Sequence, residues 1–172
     1  MTRRFLFSGV AVGLLAAGIW AHQAQSPLPV DARADLVVVD KAERRLTLYS
    51  NGIALRSYRV ALGREPVGDK DREGDERTPE GRYVIDWRNP RSTFHRSLHI
   101  SYPSAADVAR ANRGGWFPGG AIMIHGTRNG AEWLGRAHRL VDWTRGCIAV
   151  TNDEIEEIWR AVPDGTPIEI RR

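Results

Sequence analysis

One cysteine, Cys147, stands in a chain of 172 residues, and no His-Glu-x-x-His motif accompanies it. A lone thiol excludes an intramolecular disulfide framework and every structural zinc site built on paired cysteines. His95 and His99 are accordingly not read as metal ligands, and no metal, nucleotide or organic cofactor is implied. The chain also lacks any block of like charge: 25 Lys and Arg are interleaved with 21 Asp and Glu, for a net charge of +4. That pattern excludes the basic stripe of a nucleic-acid binder. The small surplus serves solubility or a weak attraction to a carboxylate-bearing polymer. No internal repeat or low-complexity segment is present, so a single domain with a real core is expected.

The one long uncharged run is at the start. Met1-Thr2-Arg3-Arg4 precedes an uncharged stretch from Phe5 to Trp20, the pattern of a signal peptide or an N-terminal membrane anchor over residues 1–25. The run is slightly shorter than the roughly 20 residues a spanning helix prefers. Export to the periplasm or cell envelope is expected, with a tether to the inner membrane as the alternative to cleavage. Residues 26–34, with Pro27 and Pro29, read as a linker. Residues 35–172 read as the folded domain.

The domain opens with Leu36–Asp40 and Arg45–Tyr49, followed by Ser50-Asn51-Gly52 and an apolar run from Ile53 to Leu62. β-Branched residues at period two around an Asn-Gly pair predict an antiparallel hairpin. Further strands are predicted at Gly81–Trp87, Leu98–Tyr102, Ala121–His125, Cys147–Val150 and Pro167–Ile170. Three short helices are predicted: Ala105–Asn112 behind Ser104, part of Gly130–Leu140, and Asp153–Ala161. For the last, Thr151 or Asn152 is the cap, Thr151 and Glu154 have capping-box spacing, and Ile155, Ile158 and Trp159 form the buried stripe. Gly63–Glu80 is crowded with charge and lacks apolar periodicity, which predicts a surface loop. The fold class is mainly β with a few short helices.

Chemistry concentrates around Cys147, in Trp143-Thr144-Arg145-Gly146-Cys147-Ile148-Ala149-Val150, and around His125, in Ile122-Met123-Ile124-His125-Gly126. A thiol attacks as its thiolate, so a competent site needs a base or positive charge near sulfur and backbone donors for a developing oxyanion. His125 supplies an imidazole, with the Gly126 carbonyl placed to hold Nδ1–H. Arg145 supplies a permanent charge, and the amides of Gly146 and Cys147 are the candidate donors. The alternative for Cys147 is a buried strand residue, and for His125 a strand-end histidine bonded to a carbonyl.

This constellation resembles the L,D-transpeptidase catalytic domain, also called the YkuD domain. Its signature is a strand-end His-Gly followed by Ser/Thr-His-Gly-Cys and a short apolar strand. Thr78-Pro79-Glu80-Gly81-Arg82-Tyr83 and Ser101-Tyr102-Pro103 add to the likeness, which covers roughly Asp35 to Arg172. Arg145 replaces the usual histidine, Ala149 replaces an Arg or Asn, and the spacing from His125 to Thr144 is slightly long. Asp142-Trp143-Thr144-Arg145-Gly146-Cys147 is similar instead to the YafK-like branch.

The resemblance implies a sandwich-like β fold in which Cys147 attacks an amide of a peptidoglycan stem peptide and forms a thioester. His125 would be base and then acid, with Thr144, Arg145, Gly146 and Gly126 orienting or stabilising the oxyanion. The acceptor would be an amine of a second stem peptide, an envelope protein, or water, the last making a murein amidase or L,D-carboxypeptidase. A non-catalytic peptidoglycan-binding module is the alternative from another class.

Other residues admit two readings. His138 is a rival base or, beside Arg136 and Arg139, a solvated or lid histidine. Arg64, Lys70 and Arg72 meet substrate carboxylates or are simply solvated. Trp116, Trp133 and Trp143 flank the expected site. The segment Arg113–Gly120 is a mobile lid or a loop pinned by its own side chains. Asp142 lies near the motif with no direction implied.

Overall fold

The computed structural model describes residues 28–172, so the segment expected to be a signal or anchor, residues 1–25, lies outside the described residues. Among the described residues no helix is long and apolar enough to cross a membrane. Eight strands form one sheet: β1 (Leu36–Asp40), β2 (Arg45–Ser50), β3 (Ile53–Arg59), β4 (Gly81–Ser92), β5 (His95–Ile100), β6 (Met123–His125), β7 (Ile148–Ala149) and β8 (Pro167–Arg171). Their order across the sheet is β3-β2-β1-β8-β4-β5-β6-β7. Two α-helices, α1 (Ala105–Arg113) and α2 (Asn152–Ala161), and a 3₁₀ segment at Glu132–Leu140 complete the domain. The fold is mainly β with a few short helices, as its composition and periodicity predict.

The sheet folds back on itself. Beyond β3 the chain crosses to the opposite edge, where Ala61 and Ala149 exchange amide-to-carbonyl bonds of 2.9 and 2.8 Å. Inward positions of the strands meet there as a single core that includes Leu46, Leu48, Ile85, Leu98, Ile124, Ile148 and Ile168. Each such buried aliphatic side chain contributes about 1.5–3 kcal/mol. Opposite faces are polar where they meet solvent, and Thr47 Oγ1 lies 2.8 Å from Ser57 Oγ across β2 and β3.

Local signals act where they were read. Asn51 and Gly52 both take positive φ, 50° and 77°, the conformation of a tight hairpin turn. Ser104 caps α1, and Thr151 caps α2 with a reciprocal bond from Glu154. Ile155 and Ile158 are fully buried and α2 packs on β5 and β6.

Several boundaries move. β3 ends at Arg59 rather than Leu62, because Val60–Leu62 leave the hairpin to reach β7. β4 runs on through Pro90 to Ser92 and carries β5 with it, so β5 begins at His95 and ends at Ile100. β6 starts at Met123 because Ala121 turns at φ 54°.

The largest difference concerns Gly63–Glu80. Lys41 is 3% exposed and donates to the carbonyls of Gly68 and Thr78, at 2.5 and 2.8 Å, and to Glu80. Lys70 is equally buried and donates to Asp75 Oδ1 at 2.6 Å and to the Arg72 carbonyl. These bonds use all three donors of Lys41. The segment is therefore an ordered strap, stapled by buried ammonium groups that leave no apolar periodicity to detect.

Candidate active site

β6 and β7 are parallel neighbours in which Ile124 is opposite Ile148 and His125 opposite Ala149. Both isoleucines point into the core with no exposed surface. Alternation of side chains along a strand then puts His125 and Cys147 together on the other face. They line the same cleft, which has a volume of about 990 Å³.

His125 is buried, and its Nδ1 lies 2.7 Å from the Gly126 carbonyl oxygen. A carbonyl only accepts, so Nδ1 carries the proton and Nε2 keeps its lone pair. Two rings hold the imidazole: Phe94 at a centroid distance of 4.5 Å and Trp143 edge-on at 5.7 Å. Burial, with a smaller effect of neighbouring His138, outweighs the Gly126 bond and lowers the His125 pKa to about 4. The ring is neutral near pH 7.

Nothing larger than glycine fits at Gly126. A Cβ would come within 2.5 Å of Asn152 Oδ1 and 3.2 Å of the Phe94 carbonyl. Asn152 Oδ1 also accepts from the amide and hydroxyl of Thr127, both at 2.9 Å, and so ties the turn after His125 to the start of α2.

The turn before Cys147 is built on Thr144. Its amide donates to the Leu62 carbonyl, its carbonyl accepts from the Arg64 amide, and its Oγ1 donates to the Cys147 carbonyl at 2.7 Å. Gly146 takes φ 120°, and a Cβ there would lie 2.6 Å from the Arg77 carbonyl. The strap thus passes directly against the nucleophile turn. The Gly146 amide donates to Thr144 Oγ1 at 3.1 Å. Of the two amides expected as oxyanion donors, only that of Cys147 makes no hydrogen bond among the described residues.

Cys147 is half-buried, and its Sγ lies 3.6 Å from the Ala121 carbonyl. Burial raises the thiol pKa above its ordinary value; the Met123 amide and the positive charge of Lys70 act in the opposite direction but do not overcome it. The charge expected to act on sulfur from Arg145 therefore does not set the state of the thiol. Arg145 is exposed at the rim and takes no part in the shift. At rest the pair is a neutral thiol and a neutral imidazole.

The other expected residues divide clearly. His138 is 6% exposed and lines the cleft, contrary to the solvated face expected from Arg136 and Arg139. Arg139 instead turns onto α2 and pairs with Glu154 at 2.9 Å. Arg64 lines the cleft and pairs with Glu76, whereas Lys70 is locked into the strap and Arg72 stacks on Trp116 at 4.3 Å. The loop around Trp116 is pinned there, with the Phe117 carbonyl accepting from the Glu73 amide, and of the three tryptophans only Trp143 lines the cleft. Asp142 braces the frame, accepting from the Leu62 amide and pairing with Arg44, each at 2.9 Å. His95 pairs with Glu156, and His99 Nδ1 lies 2.6 Å from Asp86. Phe94 was not foreseen. It lies beyond Pro90, which argues against a strand continuing that far.

These features define a β-sheet domain with a cysteine and an oriented histidine lining one cleft. Residues 34–170 match the YkuD L,D-transpeptidase catalytic domain, and the chain belongs to that family. It is 31% identical over 133 residues to the protein YafK of Escherichia coli (strain K12), covering 73% of this chain and 46% of that one. It is similar in structure to the helical cell shape determining protein Pgp2 from Campylobacter jejuni, with a TM-score of 0.63 and 26% identity over 83% of this chain and 49% of that one. An L,D-transpeptidase from Mycobacterium smegmatis shares the fold, with a TM-score of 0.53 at 16% identity over 81% of this chain and 59% of that one. The chain thus spans about half the length of YafK and of Pgp2.

Proposed function

We propose that this protein is a cell-envelope acyltransferase that acts on peptidoglycan stem peptides, with Cys147 as nucleophile and His125 as base. The observation that carries this is the tautomer of His125. Its Nδ1–H is committed to Gly126, so Nε2 is the basic atom on the face shared with Cys147. As sulfur attacks the substrate carbonyl, the thiol proton passes to Nε2 and the oxyanion meets the Cys147 amide. The imidazolium then protonates the leaving amine, and a thioester remains on Cys147. An incoming amine or water, deprotonated by His125, releases the acyl group and regenerates the thiol.

The charge of the cleft supports an acidic substrate. Arg64, Arg91, Arg128 and Arg145 line it, and no Asp or Glu does among the described residues. Among the described residues Arg91, Arg128 and Arg145 form no ion pair. Carboxylate-bearing stem peptides match such a surface, and electrostatic attraction of this kind weakens with added salt. Likeness to Pgp2, a cell shape determining protein, supports a role in cell shape, and export to the periplasm is proposed from the character of residues 1–25.

The test is incubation of purified muropeptides with wild type and with Cys147→Ala. A cross-linked or exchanged product identifies an amine acceptor, and shortened peptides alone identify water. Identical products from both proteins would refute Cys147 as nucleophile.

A further inference from the structure

His138 is a buried histidine in the cleft that the acyl-transfer chemistry leaves unused. Trp143 Nε1 lies 3.4 Å from His138 Nδ1, and the two rings meet edge-on at a centroid distance of 6.3 Å. An indole N–H only donates, so Nδ1 is the accepting nitrogen and the proton of the neutral ring is on Nε2. That Nε2 is buried without a hydrogen-bond partner among the described residues. An orphaned buried donor is unfavourable, so a ring kept in this state calls for an explanation.

The explanation is on the other side of Trp143. Its ring meets His125 at 5.7 Å and Phe94 at 5.9 Å, and Phe94 meets His125 at 4.5 Å. The bond from Nδ1 to Gly126 leaves the imidazole free to tilt about that contact. Phe94 and Trp143 flank the ring and resist this, and His138 is the hydrogen-bond partner of one of them.

We propose that His138 is a positioning residue: its Nδ1 holds the Trp143 indole, and Trp143 with Phe94 clamps the His125 imidazole so that Nε2 is presented to Cys147. This rests on the assignment of His125 as base. Protonating His138 would place a second N–H against the indole donor and break the clamp. Burial first, and the charge of Arg139 second, lower its pKa to about 4, so the clamp persists at neutral pH. The titratable and charged groups that line the cleft with His125 are Cys147, His138, Arg64, Arg91, Arg128 and Arg145.

Three variants test this on muropeptides: His138→Ala, His138→Asn and Trp143→Phe. Loss of the clamp is expected to lower kcat about tenfold in His138→Ala and Trp143→Phe, because small misplacements of reacting groups are expensive. KM should change by less than about twofold, since binding is not the function removed. His138→Asn, whose amide oxygen replaces the accepting nitrogen, should recover most of kcat. The double variant His138→Ala/Trp143→Phe should be no worse than either single change, because both remove one coupling. Wild-type kcat in both His138→Ala and Trp143→Phe, or fully multiplicative losses, would overturn the proposal.

NMR titration of His125 needs no substrate and separates the two claims. The His125 pKa should rise from about 4 toward the ordinary histidine value in Trp143→Phe, which keeps His138, and should rise further in His138→Ala than in His138→Asn, since both of these also lose the smaller lowering effect of His138 itself. An unchanged titration in Trp143→Phe, or equal rises in His138→Ala and His138→Asn, overturns the clamp. A wild type inactive on muropeptides overturns instead the acyl-transfer assignment, whatever the titration shows.

Discussion

Thr144 Oγ1 donates to the carbonyl of Cys147 at 2.7 Å and accepts from the amide of Gly146 at 3.1 Å. One hydroxyl therefore closes the turn that presents the nucleophile, and it is 4% exposed with its residue. Thr144→Val preserves shape and removes both bonds. The unsatisfied amide and carbonyl should destabilise the fold by about 1–3 kcal/mol per buried group, read as a lower midpoint in urea. Thr144→Ser should restore most of that loss.

The thiol is the second point at which burial decides. Because burial raises its pKa, Cys147 should react with iodoacetamide more slowly than free cysteine at pH 8. Its rate should still be rising above about pH 8.5, the value for a free thiol. A plateau below that pH would show an acidified thiolate and contradict the neutral pair described here.

Stability should depend on pH through two buried histidines. His125 and His138 both titrate near 4 in the folded chain, against about 6.5 unfolded. Between these values the unfolded chain binds more protons, so stability is fully present above about pH 6.5 and falls as pH falls toward 4. The slope should approach about 1.4 kcal/mol per pH unit for each histidine. Urea unfolding at a series of pH values measures it, and His138→Asn should leave roughly half of the dependence.

The strap should fail if its ammonium group is removed. Lys70 and Asp75 are 3% and 9% exposed in their side chains and 2.6 Å apart. Burial alone would raise the Asp75 pKa, but the Lys70 bond and the amides of Arg72, Arg77 and Asp71 lower it overall. Its contribution is present above the ordinary carboxylate pKa and is lost only as pH falls through the lowered folded value. Lys70→Met leaves that carboxylate buried and unpaired, at a cost of about 3–5 kcal/mol. Thermal unfolding compared with Lys70→Met/Asp75→Asn should show the double variant recovering part of the loss.

How much of this was legible depends on which force holds each part. The Asn51-Gly52 turn and the Thr151 capping box are local, so neighbouring residues suffice to find them. The face shared by His125 and Cys147 was also within reach, since Ile124 and Ile148 mark the buried side of two short strands. The strap was not. Lys41 and Lys70 are held by carbonyls and carboxylates brought together only by the fold, and charged sequence otherwise signals solvent. His138 was hidden for a related reason: Arg139 beside it looked like a solvated neighbour, yet it reaches inward to Glu154 on α2. Arg145 does not act on the thiol because it is adjacent in sequence but exposed in space.

The most direct measurement is intact-protein mass spectrometry after incubation with a carbapenem, which acylates an accessible nucleophilic cysteine. The account predicts one covalent adduct on wild type, located at Cys147 and absent from Cys147→Ala, and its formation slowed strongly in His125→Gln. An adduct that persists in Cys147→Ala, or one that forms on His125→Gln as fast as on wild type, would contradict it.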